Sequence, residues 1–187
     1  MAIDQAEWHY ESAKELYLKT HSITGELTEK QEEEVWLFAA EHIGLFMRWI
    51  IERGFEGEDS DKEECEKVRS GQLSGAEYLL KNCDGKLWDD DIREDILPFV
   101  ESYYGNGNDY LDDYYDCCTN DDDKPLYGVK CSEADYLRLK DKIDKAYEKF
   151  TYEQTAAREE PQTTVHRSQP AEKTGIWGKI LNKLKGK

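Results

Sequence analysis

His9 and His42 are the residues of this sequence whose setting invites chemistry. His9 stands between Trp8 and Tyr10, and His42 lies inside an apolar run, directly after Glu41 and two residues before Gly44. Imidazoles buried beside a carboxylate can relay a proton or ligate a metal, so His9, Glu41 and His42 form a candidate ligand or catalytic site. The structural alternative is a buried His42 satisfied by a backbone or tyrosine partner, with Gly44 letting a neighbouring helix come close. The chain contains neither His-Glu-x-x-His nor His-x-x-x-His. On spacing alone, neither a metal nor a cofactor is expected.

A second candidate is a binding surface. Tyr110, Asp112, Asp113, Tyr114 and Tyr115 fall together, so that a helix would carry tyrosines on one face and carboxylates on the other. Tyrosine supplies rigid contact area and carboxylates steer a basic partner. The competing view is that these tyrosines line the core. The acidic clusters Asp89–Asp91, Asp112–Asp113 and Asp121–Asp123 lack the sixth-position glycine and twelfth-position glutamate of an EF-hand loop, and read as helix starts or solvated faces. No Gly-x-Ser-x-Gly elbow and no phosphate-cradling Gly-rich loop is present, so no feature of the sequence requires an enzyme.

Charge narrows the partner class. A formal net charge of -17 over 187 residues repels nucleic acid and anionic lipid from the main body. Residues 151–187 differ, with seven Lys and Arg against four Glu. Cys65, Cys83, Cys117, Cys118 and Cys131 are odd in number and include a vicinal pair, which reads as a set of reduced thiols, with Cys117 or Cys118 exposed. The N-terminal stretch has no basic segment followed by an apolar run. A cytoplasmic protein is the expectation.

The elements that must position these residues are helical. Val35–Ile51 is apolar on nearly every side but interrupted by Glu41, His42 and Arg48, as suits the central helix of a bundle better than a membrane span. Thr28 with Gln31 starts it as a capping box and Gly54 ends it, predicting one helix over 29–53. A shorter helix over 5–20 precedes it, with Trp8, Leu16 and Tyr17 as anchors, and 54–61 is an acidic loop. Ser74 with Glu77 caps another helix that Asp84-Gly85 stops. Asp89–Asp91 opens a third, kinked or ended at Pro98, with Ile92, Ile96, Phe99, Val100 and Tyr103 inward. Residues 108–117 make a fourth helix, 120–128 a loop, and Ser132 with Asp135 caps a last helix over 133–150. Strand signals are absent except for a weak one at 126–130.

Residues 151–174 are rich in Gln, Thr, Glu and Pro and read as a flexible linker. Beyond it, Ile176, Trp177, Ile180, Leu181 and Leu184 share one helical face opposite several lysines, a basic amphipathic helix suited to a membrane surface or a protein groove.

Several of these segments resemble an uncharacterised bacterial family known as a domain of unknown function: Trp8-His9-Tyr10, the HIGLFMRWIIERG run at 42–54, SGQLSGAEYLLKNCDGKL at 70–87, and the FVESYY and YLDDYYD stretches within 99–116. The resemblance spans roughly residues 6–150 and implies no chemistry.

The sequence therefore predicts an all-α domain over 1–150, a compact bundle of about five helices around the central apolar helix, followed by a disordered linker over 151–174 and a tail helix over 175–187. The expected function is a small acidic interaction module capturing a basic protein, of which a toxin-neutralising immunity protein is one case. The alternatives are an enzyme or ligand site around His9, Glu41 and His42, and a protein held peripherally at a membrane by its tail.

Overall fold

The computed structural model describes residues 1–105, 109–119, 127 and 130–159. Its centre is the helix read from the apolar run. Thr28 caps α2 (Glu29–Glu52) through the reciprocal box with Gln31. Inside it Val35, Ala39, Ala40, Ile43, Phe46, Met47, Trp49, Ile50 and Ile51 are buried on all sides. Such a helix needs partners around its whole circumference.

The first is α1 (Ala6–His21), which turns Ala6, Ala13 and Tyr17 inward and ends at Ser22 in the left-handed conformation. Trp8, expected as an anchor, is 61% exposed. The inward stripe runs through Ala6, His9, Ala13 and Tyr17, and Trp8 falls off it at helical pitch. The second partner is α4 (Gly75–Asn82), capped by the Ser74–Glu77 box and stopped where Asp84 and Gly85 both take positive φ. Here the backbones meet: a Cβ at Gly44 would stand 2.3 Å from Ala76 N, and one at Gly75 would stand 1.8 Å from the Gly44 carbonyl oxygen. Gly44 does admit the neighbouring helix, as its position suggested.

Three parts of the fold differ from the sequence reading. An unforeseen helix, α3 (Lys62–Arg69), follows the acidic loop, started by Asp61, whose carboxylate accepts from the Glu63 and Glu64 amides. A small antiparallel pair joins β1 (Ala2–Gln5) to β2 (Lys86–Trp88), with Asp4 opposite Leu87. The third helix is broken into 3-10 turns at Asp89–Asp91 and Glu94–Ile96, α5 (Leu97–Val100) and a wide π turn at Glu101–Gly105. Pro98 sits in the first turn of α5, where a missing N–H costs nothing, so it starts a helix rather than kinking one. The strand candidate at 126–130 lies mostly outside the described residues, and its two described members, Tyr127 and Lys130, are not in a strand.

After α6 (Asp109–Tyr114) and a π turn at Tyr115–Thr119, α7 (Glu133–Glu159) closes the bundle with Tyr136, Leu139 and Ile143 buried. It runs nine residues past Phe150, so the expected linker begins as helix; Thr151 returns its hydroxyl to the Tyr147 and Glu148 carbonyls. Around Trp49 the rings of Phe46, Phe55, Phe99 and Tyr147 pack at centroid distances of 5.5–5.9 Å. The Trp49 indole N–H donates to Asp144 at 2.6 Å. The architecture is all-α apart from the two short strands, and no helix among the described residues is long and apolar enough to cross a membrane. Residues Met1–Glu153 make one compact unit. The tail residues Ile176, Trp177, Ile180, Leu181 and Leu184, and the linker from 160 onward, lie outside the described residues.

The thiols also differ from expectation. Cys118 and Cys131 are joined in a disulfide across 13 residues, while Cys65, Cys83 and Cys117 are free and buried. Neither member of the vicinal pair is exposed. Spacing could not reveal the bond, because its partners meet only when the chain returns from the π turn to the start of α7. Alkylation of the unfolded protein should label three thiols without reductant and five after reduction, counted by mass. Five labelled thiols in both samples would show the bond does not form.

Candidate functional site

Two places gather chemistry. The first is a buried polar centre into which five parts of the chain each send one side chain. Asp4 comes from β1, His9 from α1, His42 from α2, Tyr104 from the π turn after α5, and Tyr127 from the segment before α7. Asp4 is 8% exposed and His42 only 1%. The Asp4 Oδ1 lies 2.8 Å from His9 Nε2 and also accepts the Gln5 amide, while its Oδ2 accepts the Tyr104 hydroxyl at 2.7 Å. His9 Nδ1 lies 2.6 Å from the Tyr127 hydroxyl. A neutral His9 with its proton on Nε2 satisfies both contacts, donating to Asp4 and accepting from Tyr127.

His42 is the exception. Its ring stands edge-on to His9 at 4.5 Å between centroids, and its Nε2 lies 3.5 Å from Asp4 Oδ2. Neither ring nitrogen makes a hydrogen bond among the described residues. The Tyr110 hydroxyl, which helical spacing brings here, goes instead to the His42 backbone carbonyl. Burial pushes the His42 imidazole pKa down against the pull of Asp4. For Asp4 burial works upward, but His42, His9 and Tyr104 together outweigh it and hold the carboxyl well below the usual range. A charged carboxylate, a neutral buried imidazole and a second imidazole within 4.8 Å of one another are a donor set of the kind that holds a divalent metal.

Of the predicted trio, the fold unites His9 with His42 and supplies Asp4 as their carboxylate. Glu41 faces elsewhere, because consecutive helical side chains diverge by about 100°. Among the described residues, the rings of His9, Tyr114 and Tyr127 wall His42. Asp4 escaped the sequence reading because a single acid five residues before His9 carries no motif.

Glu41 lines the second place, a cleft of about 450 Å³ between α2 and the start of α4. Leu37, Phe38 and Leu45 give it an apolar wall, and Glu34, Glu41, Glu77 and Glu133 outnumber its cations Arg48 and Lys130. Arg48 is already committed: it donates to Glu52, grips both oxygens of Glu133 and stacks 3.7 Å over the Tyr136 ring. Glu41 receives one bond, the Cys131 amide at 3.1 Å, and no ion pair among the described residues. Burial raises its carboxyl to about 6. The disulfide to Cys118 fixes the residue that makes that contact.

The predicted Tyr/Asp surface divides. Tyr110 and Tyr114 are fully buried and belong to the core, so of the three predicted tyrosines only Tyr115 reaches the surface. Asp112 and Asp113 line a hollow of about 340 Å³ with Tyr103 and Phe150. Asp113 is engaged by the Tyr103 hydroxyl and by Lys142. Tyr115 is 39% exposed.

Comparison with known proteins adds one match: a family described as a domain of unknown function, DUF7832, whose model aligns with residues 2–129. The chain belongs to this family. The matched region contains Asp4, His9, His42, Tyr104 and Glu41, whereas Lys130, Cys131 and Glu133 of the cleft and all of α7 lie beyond it. No curated protein and no solved structure matches the chain.

Proposed function

We propose that this member of the family is a small acidic interaction module that captures a basic protein, taking a lysine or arginine side chain of that partner into the cleft between α2 and α4. The observation that carries the reading is Glu41: a carboxylate set deep against an apolar wall, with a single backbone donor and no ion pair among the described residues, Lys130 of the same cleft acting on it only from beyond ion-pair distance. A long basic side chain supplies both what the wall takes, its methylene stem, and what Glu41 lacks, a positive head in direct contact. The net charge of -17 would draw such a partner from a distance and make the encounter salt-sensitive. A cytoplasmic immunity protein that neutralises a basic toxin is one concrete case of this reading.

Fragments test the cleft without knowing the partner. Phenethylguanidinium, phenethyl alcohol and phenylpropionate share an apolar body and differ in charge. In methyl-resolved NMR the guanidinium should shift Leu37 and Leu45 most. Glu41→Gln should weaken it roughly tenfold or more, the scale of a hydrogen bond to a charged group. Equal or stronger binding of phenylpropionate would defeat the proposal.

A further inference from the structure

We infer that Asp4, His9 and His42 form a binding site for a single divalent transition-metal ion of the zinc type. Nothing in the proposed capture of a basic partner depends on it. Three features argue for a site rather than an ordinary buried network.

The first is the unspent donor capacity. Buried polar atoms in folded proteins are hydrogen-bonded with few exceptions, and leaving one unpaired costs on the order of 1–3 kcal/mol. His42 has both ring nitrogens without a hydrogen bond among the described residues, at 1% exposure, and its ring faces His9 and Asp4. What sets His42 apart from other buried atoms without a hydrogen bond among the described residues, such as the Tyr114 and Tyr136 hydroxyls, is that its ring faces a second imidazole and a carboxylate. A metal takes the lone pair of one nitrogen and so accounts for the ring's presence.

The second is geometry. Around an ion with ligand bonds of about 2.0–2.2 Å, donor atoms in tetrahedral arrangement stand about 3.3–3.6 Å apart. His9 Nε2 is 2.8 Å and His42 Nε2 is 3.5 Å from oxygens of Asp4, and the ligand atoms of all three lie within 4.8 Å of one another. Admitting the ion requires the 2.8 Å His9–Asp4 contact to open by about 0.5–0.8 Å. The three donors come from β1, α1 and α2, whose backbones are fixed by the β1–β2 pairing and by helix packing, so the frame is built before any ion arrives.

The third is the outer support. Ligating imidazoles and carboxylates are held in orientation by hydrogen bonds from the next layer of residues. Here Tyr127 lies against the far nitrogen of His9, and Tyr104 donates to Oδ2 of Asp4, the oxygen nearer His42. When His9 ligates through Nε2, its proton resides on Nδ1 and the Tyr127 hydroxyl turns from donor to acceptor. Two imidazoles and one carboxylate favour Zn²⁺, Co²⁺ or Fe²⁺ over Ca²⁺ or Mg²⁺, which prefer all-oxygen shells.

The test uses the full chain, stripped of metal with a chelator and titrated with ZnCl₂ by calorimetry and with CoCl₂ by visible absorption. One Zn²⁺ per chain is expected, together with a cobalt spectrum in the region of tetrahedral or five-coordinate nitrogen and oxygen ligands. Long-range ¹H–¹⁵N spectra of the imidazoles should move for His9 and His42 and stay fixed for His21 and His166. His9→Gln, at a half-buried position that tolerates a polar residue, should weaken Zn²⁺ on the order of a hundredfold while the protein stays folded. Asp4→Asn should act in the same direction. Absence of binding to the folded wild type would overturn the proposal. So would binding that His9→Gln leaves unchanged or that moves only His21 or His166, because the ion would then sit elsewhere.

Discussion

Replacing Gly44 by alanine should destabilise the protein by about 3 kcal/mol, the upper end of what overpacking typically costs and a large share of the roughly 5–15 kcal/mol that holds a domain together. The added methyl would lie 2.3 Å from Ala76 N and 2.5 Å from Ala76 Cα. Both are backbone atoms, so no rotamer change can relieve the clash. The helices themselves must part. Separation of α2 from α4 would loosen the packing of Ala40, Phe46, Met47 and Leu79, buried residues of the same two helices. It would also reshape the cleft, whose lining takes in Glu41 and Leu45 from α2 and Gly75 and Ala76 from α4. Urea denaturation gives the magnitude, and Gly25→Ala is the control, since nothing lies within 4 Å of a methyl there. The control should be neutral or gain a few tenths of a kcal/mol from the stiffer unfolded chain. A Gly44→Ala midpoint indistinguishable from that of Gly25→Ala would mean that the helices do not meet at this contact.

That contact was legible in the sequence, and the reason is locality. Gly44 lies on the most apolar helix of the chain, and both capping boxes join residues three apart, Thr28 to Gln31 and Ser74 to Glu77. What failed to be legible was either too weakly apolar or too distant. Helix α3 offers the core only Cys65 and Val68, so its pattern carries too little signal for periodicity to find, although Asp61 in front of it is a recognisable cap. The β1–β2 pairing joins Ala2 to Trp88, and the disulfide joins Cys118 to Cys131. In each case partners are chosen by tertiary return of the chain rather than by spacing. The candidate site divides in the same manner. His9 and His42 stood out because histidine is rare here and one of them sits in an apolar run, but Asp4 is one acid among 42. Glu41 was chosen because it is adjacent to His42 in sequence. Adjacency along a helix is what sends the two side chains to different places, one to the buried centre and the other to the cleft.

A chain ending at Val129, which retains the whole family-matched region, should fail to fold cooperatively. The argument begins at Trp49, the largest buried side chain on the central helix. Tyr147 packs against it and against Phe99, and Asp144 accepts its indole N–H at 2.6 Å while also accepting Arg53. Both partners belong to α7, which starts after the match ends. Removing α7 would wet one side of Trp49 and Phe99, and it would delete Tyr136, Leu139 and Ile143, each at most 1% exposed. At about 1.5–3 kcal/mol for each large apolar side chain withdrawn from water, those three alone are worth about 5–9 kcal/mol, as much as many domains have in total. Arg48 would lose Glu133, and Glu52 would lose Lys140, so a charged pair half-sunk in the interface would also be left incomplete. Near-UV circular dichroism and urea titration of the shortened chain against the full one decide the matter. A sharp transition in the shortened chain at the full chain's midpoint would show that the matched region carries its own core and that α7 is an ornament upon it. Loss of the transition would place the working boundary of this domain beyond residue 129, within α7, whose last fully buried residue is Ile143.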